Sequence, residues 1–470
     1  MNPKILIAIG VIGAAFIIIG MSVLFGALPK IVQDKVNEQM VLDENNTDIY
    51  DMFKSLPVPL QFRIWAFEAD VSTFDGQHIN TITYKKRGPY VYNEQRNKSF
   101  IEFSSDGNNV SYTLDKYYTF NKDESCPGCS KDDKINFFNP LFAMEQTRLD
   151  GLIEANKKDP ETLRIYESLI YNFDTIDDLL ITGNSNLGQS ILASKDFNTF
   201  IVDTGKSDIK QLEQVLSYAD NSEITGVWPN NDDGSTSRCN KLIGTDATQY
   251  APGLTGDETI WAFETLLCYS LYAKHGILPD RDVKDIPTYR YTIMKENFLE
   301  TLENSCFCLE DDIKQCTSGM LNLKKCGAAI GFEFLASPAY FFEAPEHLKW
   351  TGLDKIVNID DITEENCGTF FDIEPQTGIV LNAEKKLMLN IKVRPNAVPA
   401  LKDLATDKYF NYQVSPFLYI EEAGGIDDEN AKKLKDKLYP KKVATAALII
   451  MIVVGVLLIC VSVFLYFRQL

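Results

Sequence analysis

The chain has 470 residues, 45% of them hydrophobic and 24% charged, and a formal net charge of −20 at pH 7. That length can bury a sizeable core, and so acidic a chain is a poor partner for nucleic acid or for anionic lipid surfaces. All 66 acidic residues lie between two apolar runs near the chain ends, which reads as solubility in a crowded, acidic or ion-rich compartment.

In chain order, residues 1–4 are expected in the cytosol. Ile5 to Leu28 follows without a charged side chain. Its 24 residues in helix would span about 36 Å, enough to cross a bilayer. The apolar core is too long for a signal peptide, and Phe25 makes Phe25-Gly26-Ala27 a poor cleavage site, so the run reads as an uncleaved anchor. Residues 29–442 read as one large lumenal or extracellular domain, because no linker or internal repeat divides them. Val110, Tyr112 and Leu114 alternate with polar residues, as half-buried antiparallel strands do. Cys126-Pro127-Gly128-Cys129 has redox spacing but no strand–helix context to lower a thiol pKa, and reads as a small local disulfide. From 139 to 194 the spacing turns helical, with Leu163, Tyr166, Ile170 and Phe173 on one face. Asn231-Asp232-Asp233-Gly234 resembles a calcium loop, but Pro229 stands at its first ligand position, so it reads as a surface turn. A second helical stretch is expected over Thr259 to Ala273. Tyr289, Tyr291 and Ile293 alternate again, as do Leu387, Leu389, Ile391 and Val393. The second apolar run, Val443 to Phe467, predicts another membrane span, with 468–470 as a cytosolic tail. The chain thus reads as mainly β with an α insertion, anchored by two transmembrane helices.

Cysteine usage assigns the side of the membrane. Nine of the ten cysteines lie between the runs, six of them from Cys239 to Cys326, with only three histidines in the whole chain. No paired C-x-x-C sets stand at zinc-finger spacing, so a disulfide framework fits better than metal sites. Sequons at Asn45, Asn97 and Asn109 agree with a lumenal or extracellular location. Catalytic signatures are missing: there is no G-x-S-x-G elbow, no H-E-x-x-H and no P-loop. A non-enzymatic protein without metal or cofactor is therefore expected. A two-span ion channel would share the topology, but beyond Ser22, Thr445 and Ser462 neither run offers a polar stripe for a pore.

Several blocks are more specific. Gly88-Pro89-Tyr90-Val91-Tyr92, Asp203-Thr204-Gly205-Lys206-Ser207-Asp208-Ile209, Cys239-Asn240-Lys241-Leu242-Ile243-Gly244-Thr245-Asp246, Cys306-Phe307-Cys308 and Asp372-Ile373-Glu374-Pro375-Gln376-Thr377-Gly378 occur in this order. Together with the double anchor they resemble the class B scavenger receptor family. That family includes fatty acid translocase, the high-density lipoprotein receptor and the second lysosomal integral membrane protein. The resemblance implies an antiparallel β-barrel-like body with a mainly apolar tunnel, capped by a helical bundle at 139–194. It also implies the disulfides Cys239–Cys306, Cys268–Cys326 and Cys308–Cys316, which leaves Cys367 free if Cys126 pairs with Cys129.

The resemblance implies a plasma-membrane or endosome–lysosome receptor that captures ligand at the apex and passes lipid to or from the bilayer. Lipids or lipoprotein-like particles are the expected partners, and a homo-oligomer is left open. The alternative is an endolysosomal sorting receptor for a lumenal hydrolase. This chain departs from the family at Ser337-Pro338-Ala339-Tyr340-Phe341, where the family's histidine is missing. The apex segment Glu145 to Asp178 carries nine acids, among them Asp174, Asp177 and Asp178, against Arg148, Lys157, Lys158 and Arg164. Such a surface is expected to repel oxidised, anionic lipoprotein.

Overall fold

The computed structural model describes residues 3–55, 58–73, 81–140, 170–171, 175–183, 195–231, 233–301, 304–307, 318–326, 334–344, 346–393 and 413–468. They fall into two compact units. The first comprises Met1–Val41, Lys284–Ile286 and Asp427–Leu470; the second comprises Leu42–Val283 and Pro287–Ile426.

In the first unit, α1 (Pro3–Ser22) runs through a wider turn at Val23–Ala27 into α2 (Leu28–Met40). The other long helix, Asp428–Phe467, is capped by Asp427, whose Oδ1 accepts from Asn430 N at 2.7 Å. Two stretches, Lys4–Met40 and Ala444–Phe467, are long and apolar enough to cross a membrane. These helices pack backbone to backbone. A Cβ on Gly13 would lie 2.6 Å from Gly455 O, and one on Gly455 would lie 2.7 Å from Gly13 O. Ser462 Oγ donates to Leu6 O at 2.6 Å. In lipid, small residues of this kind let helices approach closely, because no hydrophobic force drives them together. Gly455→Leu is therefore expected to separate the helices and reduce cysteine cross-linking between them. Leu457→Ala, at a position 58% exposed, should leave the cross-linking unchanged.

The second unit is built on one antiparallel sheet. Among the described residues its strands are β1 (Leu60–Asp70), β2 (Thr83–Phe103), β3 (Asn109–Phe120), β4 (Lys195–Asp203), β5 (Val215–Tyr218), β6 (Thr259–Glu264) and β7 (Tyr269–His275). They continue with β8 (Tyr289–Ile293), β9 (Leu321–Asn322), β10 (Phe334–Pro338), β11 (Phe370–Ile373), β12 (Val380–Val393) and β13 (Gln413–Gly425). The order is β5-β4-β3-β2-β1-β13-β12-β11-β8-β7-β6, with β10 also paired to β12 and β9 to β10. The sheet closes almost completely, because Gly244–Asp246 stitches its two edges together. Val215 N donates to Gly244 O at 2.8 Å, and Phe263 N donates to Thr245 O at 2.9 Å. Gly244 has φ +92°, and a Cβ there would lie 2.0 Å from Trp261 O, so only glycine fits the seam.

The alternating strands appear where the sequence predicts them, at β3, β8 and β12. On β1 the even residues Phe62, Ile64 and Ala66 are buried, in register with Tyr92, Tyr90 and Arg87 of β2. The expected helix over Thr259 to Ala273 is instead the β6–β7 hairpin. Ile260 pairs with Ala273 and Trp261 with Tyr272, and Cys268 turns the chain at φ 47°. Apolar spacings of three and four across this segment mimic a helix, but its aromatic residues pack better on a pleated surface. Within the expected helical apex, Ile170–Tyr171 is a short strand paired with Phe137–Phe138, and Asp178–Thr182 is one helical turn. Ile170 thus leaves the expected helical face. The rest of 141–194, including Lys157, Lys158, Arg164 and Asp174, lies outside the described residues.

Candidate functional site: a charged belt inside the barrel

The inward face of the sheet begins as a packed apolar wall. Ile64, Tyr90, Tyr92 and Ile420 have at most 2% exposure. Further along the same columns the residues become charged. β2 continues inward with Glu94, Arg96 and Lys98, and the register sets these opposite Tyr118, Lys116 and Leu114 of β3. On β13, Glu422 stands opposite Phe62 of β1 and Lys385 of β12. The expected interior was mainly apolar; here a polar belt interrupts it.

The belt is a chain of ion pairs. Arg96 Nε lies 2.8 Å from Glu94 Oε1, and its Nη2 pairs with Glu422. Lys385 Nζ lies 2.6 Å from Glu422 Oε2 and 2.7 Å from Glu264 Oε2. Lys385 is on β12 and Glu264 on β6, four strands apart, or about 19 Å along a sheet. They meet only because the sheet curls, so this pair is a chord across the interior. Burial pushes Glu422 up, but Arg96 and Lys385 outweigh it and hold the carboxyl below the usual range. Burial likewise opposes the Lys385 charge, and Glu264 and Glu422 more than offset it.

The belt also lines open space. Arg96 keeps 16% of its side-chain surface, and Lys385 and Glu264 keep 19% each. Lys116, Tyr118 and Phe120 are half-buried, although their outward neighbours Tyr117 and Thr119 already face solvent. Full packing, as around Tyr90 and Ile64, would have removed that surface. The interior is filled at one end and hollow at the belt.

Two further features flank it. At the seam, Lys98 Nζ lies 3.4 Å from Glu213 Oε2 and 3.2 Å from Asp246 Oδ2, over the Phe53 ring at 3.8 Å. On the other side, a cavity of about 30 Å³ is lined by Met294, Phe298, Phe342, Cys367 and Leu387, room for about one water. Cys367 is unpaired and buried there, and burial pushes its thiol up to about 11, so it is a poor nucleophile.

Bonded cysteine pairs stand at Cys126–Cys129, Cys239–Cys306 and Cys268–Cys326, with Cα–Cα separations of 5.2, 5.9 and 5.7 Å. Cys308 and Cys316 lie outside the described residues. Asn45 is exposed, Asn97 is half-buried on β2, and Asn109 opens β3 at a tight turn. Asp177 is less free than an apical charge was expected to be. It accepts from Tyr92 OH at 3.2 Å and sits 3.8 Å from Lys131. Asp178 accepts from Thr175 Oγ1 and Thr182 Oγ1, both at 2.9 Å.

Sequence reasoning missed the belt, whose members run from residue 94 to residue 422. A signal was present: charged residues keep the phase of the buried Tyr90 and Tyr92 along β2, and of Tyr112 and Leu114 along β3.

A barrel with a partly hollow interior, in a chain with a candidate span at each end, defines a membrane receptor or transporter. The chain matches the model of the CD36 family over residues 11–466, and it belongs to that family. It is 27% identical to lysosome membrane protein 2 of Homo sapiens, over 91% of this chain and 87% of that one. It is 25% identical to sensory neuron membrane protein 2 of Heliothis virescens, over 90% and 85%, and 25% identical to sensory neuron membrane protein 1 of Apis mellifera, over 93% and 85%. The chain is accordingly a scavenger-receptor-type membrane protein rather than an enzyme, with its large domain between two spans.

Proposed function

We propose that this protein transfers lipid: ligand is captured at 139–194, and an amphipathic molecule passes through the barrel interior to or from the bilayer. The observation that supports this most is the accessible surface on inward-facing residues at the belt. An acyl chain entering such a space gains about 25 cal/mol per Å² of apolar surface removed from water.

We also place residues 29–442 on the lumenal or extracellular side, with glycans at Asn97, Asn109 and Asn45 and a further disulfide between Cys308 and Cys316. Peptide mapping without reduction reads that pairing, and Cys306 joined to Cys316 would refute it. The acidic apex, with Asp174, Asp177 and Asp178 outnumbering Lys157, Lys158 and Arg164, favours neutral particles or a basic protein patch over polyanions. The second reading is a sorting receptor for a lumenal hydrolase. It draws on the likeness to lysosome membrane protein 2, a name that speaks only of location.

Affinity capture with the full chain, followed by lipid and protein mass spectrometry, separates the two. Recovery of lipid without a dominant protein is expected. One dominant hydrolase and no lipid would overturn the transfer reading.

A further inference from the structure

The belt contains one cation that nothing in it neutralises. Arg96 is held by Glu94 and Glu422, and Lys385 by Glu422 and Glu264. Lys116 points into the same space. Among the described residues it forms no ion pair within the 4.0 Å limit and no hydrogen bond. Its partner in register is Arg96, a like charge. The nearby carboxylates are already engaged by other bases. Tyr118, two residues along the same inward column, also leaves its hydroxyl without a hydrogen-bond partner among the described residues.

Apolar surface adjoins this pair. The Tyr118 ring meets Phe62 edge-on at 5.5 Å, and Phe120 meets Tyr92 at 5.3 Å. Beyond these lie the buried Ile64, Tyr90 and Ile420. A cation and a hydroxyl at a hollow level, beside an aromatic and aliphatic wall, match the two halves of a single-chain amphiphile.

We propose that Lys116 is the specificity-determining residue of the interior, where its ammonium takes the anionic head of a single-chain lipid, a carboxylate or a phosphate monoester. Tyr118 OH supplies a second donor, and the acyl chain lies along Phe62, Tyr92 and Phe120. This rests on the transfer reading above. Burial, with Arg96 alongside, holds the Lys116 pKa below the usual lysine value, and a bound anion would relieve that cost. The negative charge of the chain opposes approach of an anion, but salt screens exposed charges beyond about 8 Å at physiological ionic strength. A monoanion meets far less of this repulsion than a polyanionic particle does.

The test uses the full chain in phosphatidylcholine nanodiscs, with empty nanodiscs as the blank. The probes are palmitate, palmitoyl lysophosphatidate and hexadecanol, which share one acyl length. The wild type is expected to bind at least one of the two anions about tenfold or more tighter than hexadecanol, and the better anion identifies the head group. Lys116→Met should weaken anion binding roughly 10- to 100-fold, as loss of a hydrogen bond to a charged group does. It should leave hexadecanol unchanged, and Lys116→Arg should restore the preference. Lys116→Met should also keep or raise the thermal midpoint, since it removes a cation beside Arg96; a purely structural role would lower it. The assignment falls if hexadecanol binds the wild type as well as both anions do, or if Lys116→Met binds the anions like wild type. In either case the transfer reading survives. If none of the three probes binds the wild type, the transfer reading falls as well. The wild-type ratio needs no variant, so poor folding of Lys116→Met would not remove the test.

Discussion

Asp372→Ala is expected to destabilise the barrel by about 3–5 kcal/mol, the usual cost of removing one partner from a buried ion pair. Arg290 of β8 and Asp372 of β11 stand directly opposite in register. The guanidinium donates through Nε to Oδ1 and through Nη2 to Oδ2, both at 2.6 Å, and each side chain has 1% exposure. Asn382 Nδ2 donates to Oδ2 at 2.8 Å, and the guanidinium lies 3.7 Å over the Phe370 ring. Asp372→Ala leaves the guanidinium stacked on that ring without its counter-charge. Chemical denaturation of the full chain in micelles should show the loss. The double variant Arg290→Met with Asp372→Leu should recover most of it, because well-packed apolar residues replace a buried pair at little cost. A single variant as stable as wild type would mean that water reaches the pair. Asp372 belongs to the Asp372-to-Gly378 block, and the remainder of that block is also structural. Glu374 accepts from Thr377 N at 2.7 Å, and Gly378, at φ +76°, passes so close to Tyr250 that a Cβ would lie 2.1 Å from its carbonyl oxygen.

What could be read from the sequence divides by range of interaction. The two anchors are composition over one continuous stretch and needed no tertiary information. Strand β3 was visible because Val110, Tyr112 and Leu114 face one way on every second residue. The β6–β7 hairpin was misread because its turn, Thr265 to Cys268, uses no glycine or proline as a signal. Cys268 adopts φ 47° instead, tied to Cys326 by a disulfide that the local pattern does not reveal. The belt lay furthest from view. Glu94, Glu264, Lys385 and Glu422 become neighbours only when β6 closes back toward β12. A charged residue in phase with a buried column looks, in sequence alone, like an ordinary solvated position. Lys386, adjacent to Lys385 but on the opposite face of β12, shows how little local sequence separates an interior charge from any other.

The seam cluster gives the second large effect, and it depends on pH. Lys98 serves two carboxylates, Glu213 and Asp246, in a buried site. One cation cannot satisfy both equally. Burial pushes Asp246 up as well, but Lys98 and Thr248 outweigh it and hold that carboxyl below its usual value. For Glu213 burial wins: it is pushed up to about 7, with Lys98 opposing and Asp246 assisting. An unfolded glutamate titrates near 4.5. Between these values the folded state holds a proton that the unfolded state has lost. Stability from this group is therefore fully present below about pH 4.5 and is lost as pH rises through 7. The difference is on the order of 3 kcal/mol. Glu213→Gln imitates the protonated form and should abolish the dependence. The variant and the wild type should unfold at nearly equal denaturant concentration at pH 5, and the variant should be the more stable by about 3 kcal/mol at pH 8. His347 works in the opposite sense, since burial lowers its pKa and the folded state binds fewer protons there. That contribution is common to both proteins and cancels in the comparison. A constant gap between the two curves from pH 5 to pH 8 would mean that Glu213 stays ionised. The seam would then be a plain salt bridge, with Lys98 neutralising both acids. If the curves instead converge in acid, the closure of the barrel at Gly244–Asp246 is held best where protons are abundant. A receptor that cycles through acidified compartments would then tighten its lipid-carrying body as it enters them.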